Sequence, residues 1–147
     1  MNHARQAQTY LRNVPLFGGL GLDACQFLAD QMEPRQVDGG DAVYNRGELA
    51  DALYILYSGR VRLECDDLVL NELSAGAHLG DMEFFDMAPR SFTVRAMGPC
   101  EVWRVPFSAM DALRKEDLKA FALMTMNAAR QMSRRLRDLD AQRCDEN

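Results

Sequence analysis

The stretch best equipped for chemistry in this 147-residue chain is Leu79–Ala96, L-G-D-M-E-F-F-D-M-A-P-R-S-F-T-V-R-A. Gly80 and Asp81 precede a short turn-forming segment carrying Met82 and Glu83. Arg90 follows nine residues after Asp81, with Ser91 beside it, at the mouth of a β-branched run. These residue types can build an anion site, in which free N–H groups of a turn point at the anion and one arginine supplies the compensating charge. A nearby carboxylate can accept hydrogen bonds from a sugar hydroxyl. Plainer uses exist for the same residues: Arg90 could pair with Asp86 or Glu83, and Gly80 could simply close a turn.

Other chemistries find little to stand on. The two histidines, His3 and His78, are far apart, so the several-histidine set of a β-roll metalloenzyme is not available. Cys25, Cys65, Cys100 and Cys144 contain no CxxC pair and read as reduced thiols. No Ser/His/Asp or Cys/His arrangement and no Walker-type glycine loop is present. The expectation is a protein that is not an enzyme and holds no metal or resident cofactor.

Charge narrows the partners. The net charge is −5, but residues 15–112 hold seven arginines against sixteen carboxylates, while the two flanking segments are each +2. An acidic body does not attract nucleic acid, whose binding is dominated by phosphate. The cluster Arg130, Arg134, Arg135 and Arg137 reads as the solvated face of a helix. With no apolar run near the ~18 residues of a membrane span and no secretory stretch in residues 1–14, a cytoplasmic protein without membrane contact is expected.

The elements that must position the site read as helix, strands, helix. Thr9–Asn13 lies in a weakly amphipathic segment that Val14-Pro15 ends, because the residue before proline avoids the helical region. Asp23 reads as an N-cap with Gln26 in capping-box position, opening a helix over about 24–32. Strands are predicted at Ala42–Tyr44, Leu53–Tyr57, Arg60–Cys65, Leu68–Leu73, Ser91–Ala96 and Glu101–Val105, separated by Gly, Asp and Pro turns. Arg60–Cys65 alternates cleanly, with Val61, Leu63 and Cys65 on one face. Ser108 reads as the N-cap of a helix over 109–115, and a long helix is predicted from about Glu116 to Gln142. Its first half, Leu118–Met126, is apolar nearly all round and so is expected to be covered on more than one side. Its second narrows to Met132, Leu136 and Leu139, the four-three spacing of a coiled-coil seam, which predicts a homodimer through this helix.

Residues 79–96 resemble the phosphate-binding cassette of the cyclic nucleotide-binding domain family, roughly F-G-E-L-A-L…P-R-x-A-T-V-x-A. Upstream, the run from Tyr44 to Val61 resembles the family's F-x-x-G-x-x-A-x-x-x-Y-x-I-x-x-G-x-V. The opening Val14–Leu20 is similar to its entry segment, and Arg130–Leu136 to the dimer helix of catabolite-activator-type regulators. The likeness covers nearly the whole chain. It implies a mainly β fold of the type shared with protein-kinase regulatory subunits: an eight-stranded antiparallel β-roll, or jelly roll, with N-terminal helices and a long C-terminal helix. The expected division is one domain over 1–147, with a helical segment at 1–34, the roll at 35–106 and C-terminal helices at 107–147.

The resemblance implies a ligand, cAMP or cGMP, held by Gly80, Asp81, Met82, Glu83, Arg90 and Ser91, with Leu139 and Asp140 at the positions that meet the base. On this reading Arg90→Ala removes ligand binding and leaves the fold intact. Three positions depart from the cassette: Asp81 is one methylene shorter than the family's glutamate, Glu83 replaces a small residue whose N–H faces the phosphate, and Phe92 replaces another small one. At an effective dielectric near 20, an uncompensated carboxylate ~4 Å from a phosphate costs about 4 kcal/mol. Three readings follow. The first is a stand-alone cyclic nucleotide sensor that signals through its C-terminal helix to a protein partner not named by the sequence. The second is a ligand-free dimeric interaction module. The third is the effector domain of a transcription regulator cut before its DNA-binding domain. Since the sequence stops at Asn147 with no recognition helix, the stand-alone form without direct DNA binding is expected.

Overall fold

The computed structural model describes residues 3–146 of the chain, with side chains from residue 6. His3 has its backbone in the first helix, and its side chain lies outside the described residues. Helix α1 (His3–Leu11) leads through a 3-10 turn at Pro15–Phe17 to α2 (Leu22–Ala29). Eight strands follow, broken once by a short helix: β1 (Glu33–Val37), β2 (Ala42–Tyr44), β3 (Ala52–Ser58), β4 (Arg60–Cys65), β5 (Leu68–Ser74), β6 (His78–Leu79), α3 (Met82–Asp86), β7 (Thr93–Ala96) and β8 (Cys100–Pro106). Helices α4 (Phe107–Glu116) and α5 (Leu118–Asp145) complete the order.

All strand pairs are antiparallel and form two four-stranded sheets, β1-β8-β3-β6 and β2-β7-β4-β5. This is the mainly β roll with flanking helices that the resemblance implies. The first sheet is covered on both faces, which explains the nearly continuous apolar run of β3. Ala52, Tyr54 and Leu56 meet Val61, Val94 and Val102 between the sheets. Leu53 and Ile55, with Trp103 and Val105 of β8, turn the other way onto Leu11, Phe17, Leu28, Met110, Leu113 and Met124 of the helical layer. Asn127 fastens α5 to the entry segment by donating its amide N–H groups to Leu16 O at 3.1 Å and Gly18 O at 2.9 Å.

Several local expectations shift. Asp23 is not the N-cap of α2: Gly21 takes that place, Asp23 sits in the first turn, and Gln26 donates to Asp30 at 2.6 Å instead of completing a capping box. Ser108 lies inside α4, which begins directly after Pro106. Helix α5 starts at Leu118, where the Asp117 carboxylate accepts from Ala120 N at 3.1 Å. Its first half is not covered all round. Ala120, Met124 and Ala128 are buried at helical spacing, whereas Leu118 is 66% and Met126 53% exposed, because only one stripe of a single helix can face the roll. Strands β1 and β6 were not foreseen: β1 has four exposed residues out of five and no alternation, and β6 has two residues. The four cysteines are free thiols. No helix among the described residues is long and apolar enough to cross a membrane, and none of their His, Cys, Asp and Glu side chains group as a metal site.

The β3–β4 turn is the tightest backbone approach. Gly59 has φ +93°, and a Cβ there would meet Cys100 Sγ at 2.6 Å and Pro99 O at 2.7 Å. Gly59→Ala adds left-handed strain to overpacking and is expected to lower stability by roughly 2–5 kcal/mol, read as a lower midpoint in urea denaturation.

Candidate functional site

The site is built around an arginine drawn into the protein. Arg90 is 3% exposed. Its backbone is clamped by the loop after β2, its N–H donating to Glu48 O at 2.9 Å and its carbonyl accepting from Gly47 N at 2.8 Å. The guanidinium donates through Nη1 to Gly80 O at 3.0 Å and through Nη2 to Ala52 O. It lies over the Tyr44 ring, 4.1 Å from its centroid, and 3.7 Å from Glu83 Oε1. Of the two plainer partners the sequence offers for Arg90, Glu83 is the one it takes. Asp86 instead accepts from Ala88 N at 3.0 Å, stopping the short helix α3.

Gly80 is required by this packing. Its φ is +78°, and a Cβ would stand 2.5 Å from Arg90 Nη1. The turn delivers Asp81 to the N-cap of α3 and Glu83 into its first turn. Glu83 is only 7% exposed. Asp81 Oδ2 lies 3.6 Å from His78 Nε2, both side chains being mostly buried. Burial pushes the Tyr44 phenol well above its ordinary range, with Arg90 opposing and Glu83 and Asp81 adding to the rise.

Gly80, Asp81, Met82, Glu83 and Ser91 line one small cavity of about 50 Å³. Five of the six expected cassette residues are thus brought together. Arg90 does not line the cavity but braces its wall from behind. The expected base contacts are not brought to it: Leu139 is 58% exposed and Asp140 is exposed. Arg135, about one turn earlier on α5, reaches the cavity instead. The sequence reading placed Arg135 on a solvated face of the helix, and its side chain is exposed while it lines the cavity. Tyr44, His78 and Phe92 are further lining residues. Phe92 resolves its bulk by packing partly against the inter-sheet core. The free space is several-fold below the ~300–1,000 Å³ of typical ligand pockets.

A physical link joins this site to the C-terminal helix. Phe84 of α3 packs edge-on against Phe107 of α4 at 5.2 Å and Phe121 of α5 at 6.1 Å. Phe84 thus ties α3 to both C-terminal helices.

Comparison with known proteins agrees with this architecture. Residues 34–117 match the family model described as the cyclic nucleotide-binding domain. An uncharacterized NTE family protein of Mycobacterium bovis is 33% identical over 132 residues, covering 89% of this chain and 22% of the relative. A cAMP-dependent protein kinase regulatory subunit of Yarrowia lipolytica is 30% identical over 103 residues, covering 68% of this chain and 28% of that protein. Among solved structures, the Thermus thermophilus catabolite activator protein superposes with a TM-score of 0.74 at 28% identity, over 87% of this chain and 61% of that one. A cyclic nucleotide-binding domain from Methylobacillus flagellatus gives a TM-score of 0.81 at 17% identity, over 98% and 84% of the two chains, a likeness of fold. The chain belongs to the cyclic nucleotide-binding domain family. It spans less than a third of the length of the two curated relatives described.

The bracing role of Arg90 changes the expectation that it can be removed without harm. Arg90→Ala leaves the Glu83 carboxylate buried without its cation, which should cost about 3–5 kcal/mol. Glu83→Ala combined with Arg90→Ala should cost clearly less than the sum of the single changes, read by urea denaturation in a double-mutant cycle.

Proposed function

We propose that the chain is a cyclic nucleotide-responsive regulatory module, with cAMP or cGMP entering the cavity under α5. The observation that carries this reading is the convergence of Gly80, Asp81, Glu83 and Ser91 on one cavity, with Arg90 held behind it. In this reading Arg90 supplies the charge that meets the cyclic phosphate, and Asp81 accepts from a ribose hydroxyl. Arg135 closes the site from α5. Entry of a nucleotide needs the cavity to widen, which moves α3 and, through Phe84, shifts α4 and α5. The output is a change in helix position, driven by the ligand's differential affinity for the two states.

Calorimetric titration with cAMP and cGMP, and a cyclic dinucleotide as third ligand, tests this. Micromolar or tighter binding of cAMP or cGMP is expected. It should be absent from the Glu83→Ala/Arg90→Ala double variant, which keeps its fold because both charges are gone. Silence toward all three ligands, from folded wild-type and folded Glu83→Ala protein, would refute the sensor reading.

A second reading is favoured by the 3.7 Å Glu83–Arg90 pair and the 50 Å³ cavity: a permanently closed pocket in a dimeric interaction module. Both readings place a homodimer contact on the second half of α5, where Leu136 is 61% and Leu139 58% exposed between charged neighbours. Multi-angle light scattering should give a dimer for the wild type and a monomer for Leu136→Glu/Leu139→Glu. A wild-type monomer at micromolar concentration would remove the dimer from both.

A further inference from the structure

Any anion that takes Arg90 must first part it from Glu83. The buried carboxylate has its charge answered by Arg90, with Nη1 at 3.7 Å from Oε1. The other titratable or charged groups on the same cavity are Asp81 before α3, His78 on β6, Tyr44 on β2 and Arg135 on α5. Asp81 adds a second carboxylate and is itself paired with His78 at 3.6 Å, and burial keeps Tyr44 protonated. Arg135 is an exposed side chain reaching in from the helix, free to turn toward the incoming ligand. Once the ligand occupies Arg90, Glu83 is left mostly buried, beside a second negative charge. A buried carboxylate without a cation sheds its charge by taking a proton.

We propose that anion binding in this pocket is coupled to the uptake of one proton by Glu83. This rests on the reading of Arg90 as the anion's counter-charge. One proton comes from solvent and bonds to one Glu83 carboxyl oxygen; no other covalent bond changes. The neutral acid then carries an O–H donor, so the group that competed with the ligand's phosphate becomes able to donate to it. Because the bound state holds one more proton than the free state, affinity falls as pH rises, by up to tenfold per pH unit. Glu83 thus ties nucleotide response to pH at a position where the family carries a small residue.

The test is calorimetric titration of the full chain with cAMP and cGMP at pH 7.5, in buffers of different ionisation enthalpy. Dissociation constants are measured from pH 7 to 8.5 alongside. Wild type should take up close to one proton per ligand, with affinity weakening as pH rises. Glu83→Gln should bind one to three decades more tightly, with no net uptake and a flat pH profile. Wild-type binding without uptake, or uptake that persists in Glu83→Gln, would overturn the coupling and leave standing the reading of Arg90 as the anion's counter-charge. Should wild-type heats be undetectable at pH 7.5, the comparison moves to pH 6, where wild type must gain on Glu83→Gln, and no gain overturns the coupling. No binding by folded Glu83→Gln or Glu83→Ala would take down the counter-charge reading of Arg90 and the coupling with it.

Discussion

Arg90 carries a guanidinium, and the fold withdraws it from water. Such a group is tolerable only where its donors and its charge are both answered. Two carbonyls, Gly80 O and Ala52 O, take its N–H groups, the Tyr44 ring covers one face, and Glu83 supplies the opposite charge. Much of the local architecture follows from that demand. Gly80 must lack a side chain to let the guanidinium pass, and the loop after β2 must bind the Arg90 backbone on both sides. The short helix α3 must then turn Glu83 inward. A single buried cation thereby ties β2, β3, α3 and the segment before β7 into one unit.

That unit is also where the roll meets its helices. Phe84 leaves α3 on the face away from the cavity and joins Phe107 and Phe121. Asn127 holds α5 to the entry segment, and Arg135 returns from α5 to the cavity. The long helix therefore touches the site twice, once through an aromatic cluster and once directly. Beyond Arg135 it leaves the roll, and its remaining side chains are exposed. The buried charges thus lie where α5 meets the roll, and the exposed stretch of α5 lies beyond them.

Much of this was legible in the chain. Strands β2, β3, β4, β7 and β8 were marked by β-branched and aromatic runs between turn residues, and in β4 the buried Val61 and Leu63 follow the alternation. β1 escaped because an edge strand of sequence EPRQV buries almost nothing and so leaves no period to read. Asp23 looked like a cap because its type and spacing are those of one, but Gly21 already starts the helix two residues earlier. The cassette was visible as a pattern of types. The direction of Glu83 was not, because a residue in the first turn of a five-residue helix can point either way until its neighbours are placed. The resemblance implied Leu139 and Asp140 at the cavity, whereas the course of α5 over this roll presents Arg135.

Sequence alone determined the helix–strands–helix order, which rests on local periodicity, turn chemistry and residue type, and its resemblance to a known family pointed to the β-roll and to the segment that forms the pocket. Only the tertiary structure decided what the pocket residues do to one another. Whether Arg90 faces an open cavity or a carboxylate depends on the meeting of β3, α3, the Tyr44 ring and the helix that closes over them. Those elements lie up to 91 residues apart in the chain, from Tyr44 to Arg135. Burial is what turns that meeting into chemistry: the same Glu83 and Arg90 would matter little in water, and they govern the site because the fold removes water from both.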